Sequence, residues 1–245
     1  VSELAPLPTR KSEAFRYTDL DALAGVWPVA REEVLVPTGQ STSLSVVEQG
    51  EGAVARHLVI EVEAGAAFDL RILNAGNRFG RIAVEARLGE GASFTLGAAQ
   101  LGSGPQTLEI VTEVSHEAPN AVSRQVIRSV LGNQATATYL GKVAVARGSD
   151  GTDAEQSVRA MLLDRTATAN AKPELEIYAD DVKCAHGCAV GELDAMGLFY
   201  LQSRGLPPPE AKRLMLQAFI AEAFIGAADE ERLTAAALER LGAML

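Results

Sequence analysis

Val62-Glu63-Ala64-Gly65-Ala66-Ala67-Phe68-Asp69-Leu70 returns 26 residues later as Leu88-Gly89-Glu90-Gly91-Ala92-Ser93-Phe94-Thr95-Leu96. Each copy is a small-residue turn leading into an alternating apolar run, the pattern of a half-buried strand. The same alternation precedes both copies. Leu58, Ile60 and Val62 are interleaved with Val59, Glu61 and Glu63, and Ile82, Val84, Ala86 and Leu88 follow the same rule. Adding the same shift to this last set gives Leu108, Ile110, Thr112 and Val114. A fixed period of this size, built from short strands and tight turns, predicts a β-solenoid whose coils stack to share one core. A β-sandwich with similar hairpins is the competing fold.

The alternating texture runs from about residue 34 to 191, and the flanks differ. Residues 1–33 read as a short, partly helical arm, with Ser12 as an N-cap and Pro28 ending the stretch. Residues 192–245 read as a small helical unit. Leu193, Met196 and Tyr200 lie at helical spacing, and Gly205 is placed where a helix ends. Pro207-Pro208-Pro209 separates them from a second run with Leu214, Met215, Ala218 and Phe219 on its apolar face. Asp229 is expected to cap a third helix with Leu233, Ala237 and Leu241 on one stripe.

Charge and composition narrow the function classes. A net charge of −10 leaves no basic excess for nucleic-acid phosphates. No apolar run is long enough to span a bilayer, and Val1–Pro8 lacks a signal-peptide pattern. Only two cysteines occur, Cys184 and Cys188. In a strand their Cα atoms would lie about 13 Å apart, too far for a disulfide. Free thiols in a cytoplasmic protein are the expectation.

The chemistry concentrates in Lys183-Cys184-Ala185-His186-Gly187-Cys188. If this segment is extended, Cys184, His186 and Cys188 share a face, giving soft donors suited to iron or zinc. Lys183 is an accessory that could favour the Cys184 thiolate, although its own side chain points to the other face. Three donors do not close a structural zinc site, so a fourth comes from elsewhere, or the site is open or lies at an interface. A cysteine acting as a small core residue is the plain alternative. His116 reads as structural, His57 as an exposed strand residue, and Asp180-Asp181 as a turn. No phosphate loop, dinucleotide fingerprint or nucleophile elbow is present.

Longer stretches carry a resemblance. Leu175–Gly187, continued by Val190-Gly191-Glu192-Leu193-Asp194 and Leu198–Leu206, resembles the signature of the SufB/SufD family of the SUF iron–sulfur assembly system, in its SufD branch. Glu13-Ala14-Phe15-Arg16-Tyr17-Thr18-Asp19-Leu20 is similar to the family's N-terminal motif. Lys183-Cys184-Ala185-His186-Gly187 stands where the SufB branch has an acidic-glycine-histidine-glutamate run, and no cysteine precedes Cys184.

The resemblance implies a right-handed parallel β-helix and a non-catalytic scaffold role. It implies a SufB partner paired through the β-helical body and the ATPase SufC docked on the C-terminal helices, through Leu198, Phe199, Tyr200, Arg204, Ala218, Phe219 and Glu222. Cys184 and His186 would then be one half of a cluster-assembly site, with iron or a nascent cluster shared with SufB and none held tightly by the chain alone. Pairing of two like β-helices as a homodimer is open to the chain when SufB is absent. Cys188 departs from the family pattern, and the N-terminal helical region is reduced. A stand-alone metal-storage solenoid and a β-helical enzyme acting on polysaccharide are the other readings.

Overall fold

The computed structural model describes residues 6–245, so the reading of Val1–Pro8 as lacking a signal-peptide pattern falls largely outside the described residues. Twelve strands occupy the chain from Arg31 to Gly191. In order they are β1 (Arg31–Val36), β2 (Ser41–Glu48), β3 (Ala53–Val62), β4 (Ala67–Ala75), β5 (Phe79–Leu88) and β6 (Ser93–Ser103). Then come β7 (Thr107–His116), β8 (Val122–Gly132), β9 (Thr136–Val145), β10 (Asp153–Leu162), β11 (Thr168–Ile177) and β12 (Lys183–Gly191). Odd strands form one six-stranded sheet, β1-β3-β5-β7-β9-β11, and even strands the other, β12-β10-β8-β6-β4-β2. Every pairing is parallel. The chain therefore alternates between sheets and climbs one strand spacing per coil: a β-solenoid.

The expected alternation fixes which side chains enter the lumen. Leu58, Ile60, Val62, Phe68, Leu70, Ile72, Ile82, Val84, Ala86 and Leu88 are all buried in one cluster, with Phe94 stacked on Phe68 at 6.4 Å. Burying a side chain of this size stabilises by about 1.5–3 kcal/mol relative to exposure. No coil can bury its own row without a neighbour, which explains the stacking.

The period is not constant, and this corrects the sequence reading. β3 pairs with β5, and β4 with β6, at 26 residues (Ala53↔Phe79, Ala67↔Ser93). Ile82, however, pairs with Ile110 rather than Leu108. Strand β6 is 11 residues long where β4 is 9, so the next coil starts two residues later. A two-residue slip keeps every side chain on its face, so the apolar pattern survives. Longer turns stretch later coils further, as Thr136↔Thr168 shows. One turn position stays constant. Gly39, Gly65, Gly91, Asn120 and Gly151 all have positive φ, and each backbone N–H donates to a carbonyl in the turn of the next coil. Glycine and asparagine are the residues that tolerate this left-handed conformation.

Among the described residues four α-helices flank the strands: α1 (Leu20–Ala24), α2 (Ala195–Ser203), α3 (Pro208–Ala221) and α4 (Glu230–Gly242). The arm before β1 opens with a 3-10 turn, Glu13–Phe15, and the Ser12 side chain makes no capping bond. Asp19 caps α1 instead, accepting from the Ala22 N–H at 3.0 Å. The arm lies on the outer face of the odd-strand sheet, where Arg81 donates to the Ala14 carbonyl and Thr18 donates to Glu109.

α3 and α4 cover the outer face of the even-strand sheet. Leu216, Ile220, Ala223 and Phe224, with Leu233, Ala237 and Leu241, pack on Leu73, Ala75, Ala99, Leu101 and Val130. The α4 stripe is the expected one. The buried face of α3 is not: Leu214 and Ala218 are exposed, Met215 and Phe219 half-buried, and Leu216 and Ile220 fully buried. The helix also starts earlier than expected, with Pro208 in its first turn, where a missing N–H costs nothing. Gly205, at φ +96°, follows α2 as expected. Asp229 precedes α4 without a capping bond, because its carboxylate is drawn to the Ser45 hydroxyl at 2.7 Å and to Arg232. No helix among the described residues is long and apolar enough to cross a membrane.

Candidate functional site

Strand β12 is the last of its sheet and pairs only with β10. Cys184 aligns with Ala154, His186 with Gln156, and Cys188 with Val158. Those three β10 residues are buried in the lumen. Cys184, His186 and Cys188 thus continue the lumen-facing row onto a strand that no further coil covers, and share the expected face. Cys184 is half-buried and packs on the Val143, Val145 and Ala154 cluster, as Leu175, Ala179 and Val182 also do, while His186 and Cys188 are exposed. Both cysteines are free.

Sharing a face is not the same as converging. Same-face neighbours on a strand stand about 6.6–7 Å apart. Among the described residues no group of three or more His, Cys, Asp and Glu side chains is close enough to hold a metal ion. The soft donors form a row rather than a cage.

The protonation chemistry runs against the expected help from Lys183. Burial pushes the Cys184 thiol up, the Ala154 backbone lowers it, and the Asp153 carboxylate raises it again. Burial alone pushes Cys188 up. Lys183 is exposed on the other face, where its charge acts on Asp153 after the dominant hydrogen bond from Arg124.

Behind the row the lumen turns polar. Counting inward from His186, the same register position holds Gln156, then Gln125, then Leu96. Tyr139 enters from the opposite sheet, and its hydroxyl is the hub. It accepts from Gln156 Nε2 at 3.1 Å and donates to Gln125 Oε1 at 3.2 Å, with the Thr112 hydroxyl 3.1 Å away. Burial pushes the Tyr139 phenol up to about 12, so it stays neutral. Gln156 Oε1 and Gln125 Nε2 are buried without a partner among the described residues. The sequence reading gave none of these residues a functional role, Thr112 being placed only as a strand position. Their signal was glutamine and tyrosine in a row of lumen positions held mostly by apolar side chains.

Of the expected docking residues, Phe199, Tyr200, Arg204 and Ala218 are exposed, with Arg204 over the Tyr200 ring at 5.2 Å. Met196 (74% exposed), Phe199 (66%) and Leu214 (47%) make this an unusually apolar surface. Leu198 is half-buried. Phe219 and Glu222 turn the other way, towards the solenoid, where both meet Arg128. His116 is fully buried and bonded to the Ser123 hydroxyl at 2.9 Å, as a structural histidine should be.

Comparison with known proteins agrees with this geometry. Residues 30–219 match the family model described as "SUF system FeS cluster assembly, SufBD core domain". Protein ABCI7, chloroplastic, of Arabidopsis thaliana is 32% identical over 179 residues, covering 71% of this chain and 38% of that protein. The iron-sulfur cluster assembly protein SufD of Escherichia coli is 32% identical over 157 residues, 64% of this chain and 37% of that one. SufD of Bacillus subtilis is 33% identical over 121 residues, 49% and 28% respectively. The matches thus span well under half the length of these relatives. With the family model covering all twelve strands, α2 and most of α3, the chain belongs to the SufBD family of the SUF iron–sulfur cluster assembly system.

Proposed function

We propose that this chain is a SufD-type, non-catalytic subunit that lends Cys184 and His186 to a cluster-assembly site shared with a second, SufB-type β-solenoid. The observation that carries the reading is the lumen-facing row on β12, left open at the end of the coil stack. Each donor is fixed by register, yet the row cannot surround a metal by itself. A second solenoid set against this end would supply the missing ligands and cover the unpaired edges of β11 and β12. Iron or a nascent cluster is then cargo, held jointly.

The helical unit fits a second partner. Met196, Phe199, Tyr200 and Leu214 suit an apolar docking surface for the ABC-type ATPase SufC, whose movement would reach the solenoid through α3. Cys188 lies further along the same row as an accessory thiol. The storage alternative requires a self-contained donor set, and a row of this spacing does not favour it.

The test is reconstitution with the SufB-type and SufC-type proteins. Cys184→Ala and His186→Ala are expected to leave the complex intact and to reduce cluster formation at least tenfold, while Cys188→Ala has a small effect. Full cluster formation by both of the first two variants would remove the site assignment. Failure of the wild-type chain to join either protein would remove the proposal.

A further inference from the structure

Two arginines on the outer face of the even-strand sheet hold the end of α3. Arg71 on β4 donates to the Ala223 carbonyl at 2.9 Å. Arg128 on β8 meets the Glu222 carboxylate through Nε at 2.8 Å and Nη2 at 2.7 Å. Gly97 on β6 forms the floor beneath them. A Cβ there would fall 1.8 Å from the Ala223 carbonyl oxygen, so α3 touches the sheet backbone at this point.

Arg128 differs from Arg71 in what it reaches on its far side. Its Nη1 donates to the Ser157 carbonyl on β10 at 2.8 Å, and its Nη2 to the Ser157 hydroxyl at 3.1 Å. The Phe219 ring lies 5.8 Å from the guanidinium, and the Arg128 side chain is only 5% exposed. Ser157 in turn pairs with Gly187, which sits between His186 and Cys188 on β12. A single planar, multiply bonded group therefore bridges the C-terminus of α3 and the strand beside the candidate site. Such a fork is directional, so displacing one end reorients the other.

We infer that Arg128 is a positioning residue that couples the α2–α3 unit to the β10–β12 end of the solenoid, with Glu222 as its handle on the helix. This rests on the proposed roles of α2–α3 as a docking unit and of β12 as the assembly strand. Movement of α3 draws on the Glu222 carboxylate, shifts Arg128 against Ser157, and resets β12.

Hydrogen exchange of the whole chain, read by mass spectrometry, tests this. Arg128→Lys retains a cation for Glu222 but not the fork to Ser157. Glu222→Gln retains an acceptor oxygen and, with Glu222 42% exposed, keeps folding intact. Both variants are expected to speed exchange in residues 183–191 at least threefold, leaving β3 and β4 unchanged. A purely local role would speed exchange in α3 and leave β12 as it was, which would overturn the coupling. Repeating the measurement with the SufC-type ATPase separates the two ideas. ATPase-induced protection changes in β12 should be present in the wild type and absent in both variants. If wild-type chain does not bind the ATPase, the docking role falls, and the comparison of free variants still decides the coupling.

Discussion

Arg81 Nη1 lies 2.5 Å from Glu109 Oε2 on the outer face of the odd-strand sheet, with both side chains buried beneath the N-terminal arm. Thr18 adds a 2.9 Å bond to the same carboxylate oxygen, and the Phe15 ring covers the guanidinium at 4.3 Å. Phe15 and Thr18 belong to the N-terminal motif, so that motif acts as a clasp over a buried ion pair. Breaking such a pair from one side strands a charge and costs about 3–5 kcal/mol. Glu109→Leu is therefore expected to lower urea stability by about that amount and to open residues 6–30 to protease. Arg81→Met with Glu109→Leu removes both charges and is expected to recover much of the loss. A double variant no more stable than the single one would show that a stranded Arg81 charge is not what destabilises Glu109→Leu.

His116 sets a pH dependence. Burial lowers its pKa from 6.5 to about 4. The unfolded chain therefore binds more protons than the folded one between those values, and stability rises with pH through that window. The contribution is intact above about pH 6.5 and is lost as pH falls through 4, reaching about 3 kcal/mol. Denaturation of wild type and His116→Asn at a series of pH values should give a difference that is flat above pH 7 and shrinks towards pH 4. A difference constant down to pH 4 would mean that the imidazole titrates equally in both states.

How much could be read from sequence depends on whether the signal was local. Leu58, Ile60 and Val62 announce their face because alternation is a property of a single strand, and the lumen offers each only one side. The coil period resisted because β6 gains two residues without changing parity, and nothing in a two-residue periodicity records length. Nothing local to the sequence marks Glu109 and Arg81 as buried, since only the arm folding over them from far along the chain covers them. The same holds for α3, whose apolar residues nearly encircle it. Which of them face inward was decided by Arg71, Gly97 and Arg128 on the sheet. Cys184, His186 and Cys188 were legible as a row by spacing, and as the last coil because the alternation stops near residue 191, whereas the failure of the three donors to converge needed the structure.

The Tyr139 hydroxyl is expected to matter more than its neighbours. Tyr139→Phe removes the only bond that the Gln156 side chain makes among the described residues and one of those made by Gln125, in a region without access to solvent. Leaving buried amides unpaired costs about 1–3 kcal/mol. Thr112→Val should cost less, because Tyr139 still bonds both glutamines. Chemical denaturation ranks the two variants. The reverse order would show that Thr112, not Tyr139, organises the polar column.

Thiol labelling gives the last check, on the row itself. Cys188 is exposed, whereas Cys184 is half-buried and packed on the Val143, Val145 and Ala154 cluster. Alkylation followed by mass spectrometry should modify Cys188 several-fold faster. Burial holds both thiols above their usual range, so the neutral form dominates at pH 7 and both rates should climb steeply towards pH 9. A thiol must lose its proton to bind metal, so cargo capture at this end should likewise strengthen with pH and release protons. A second solenoid capping the terminal coil should slow both reactions together, because Cys184 and Cys188 lie on one lumen-facing row. Protection of one cysteine alone would mean that the partner sits elsewhere on the strand, and that the open end is not where the two solenoids meet.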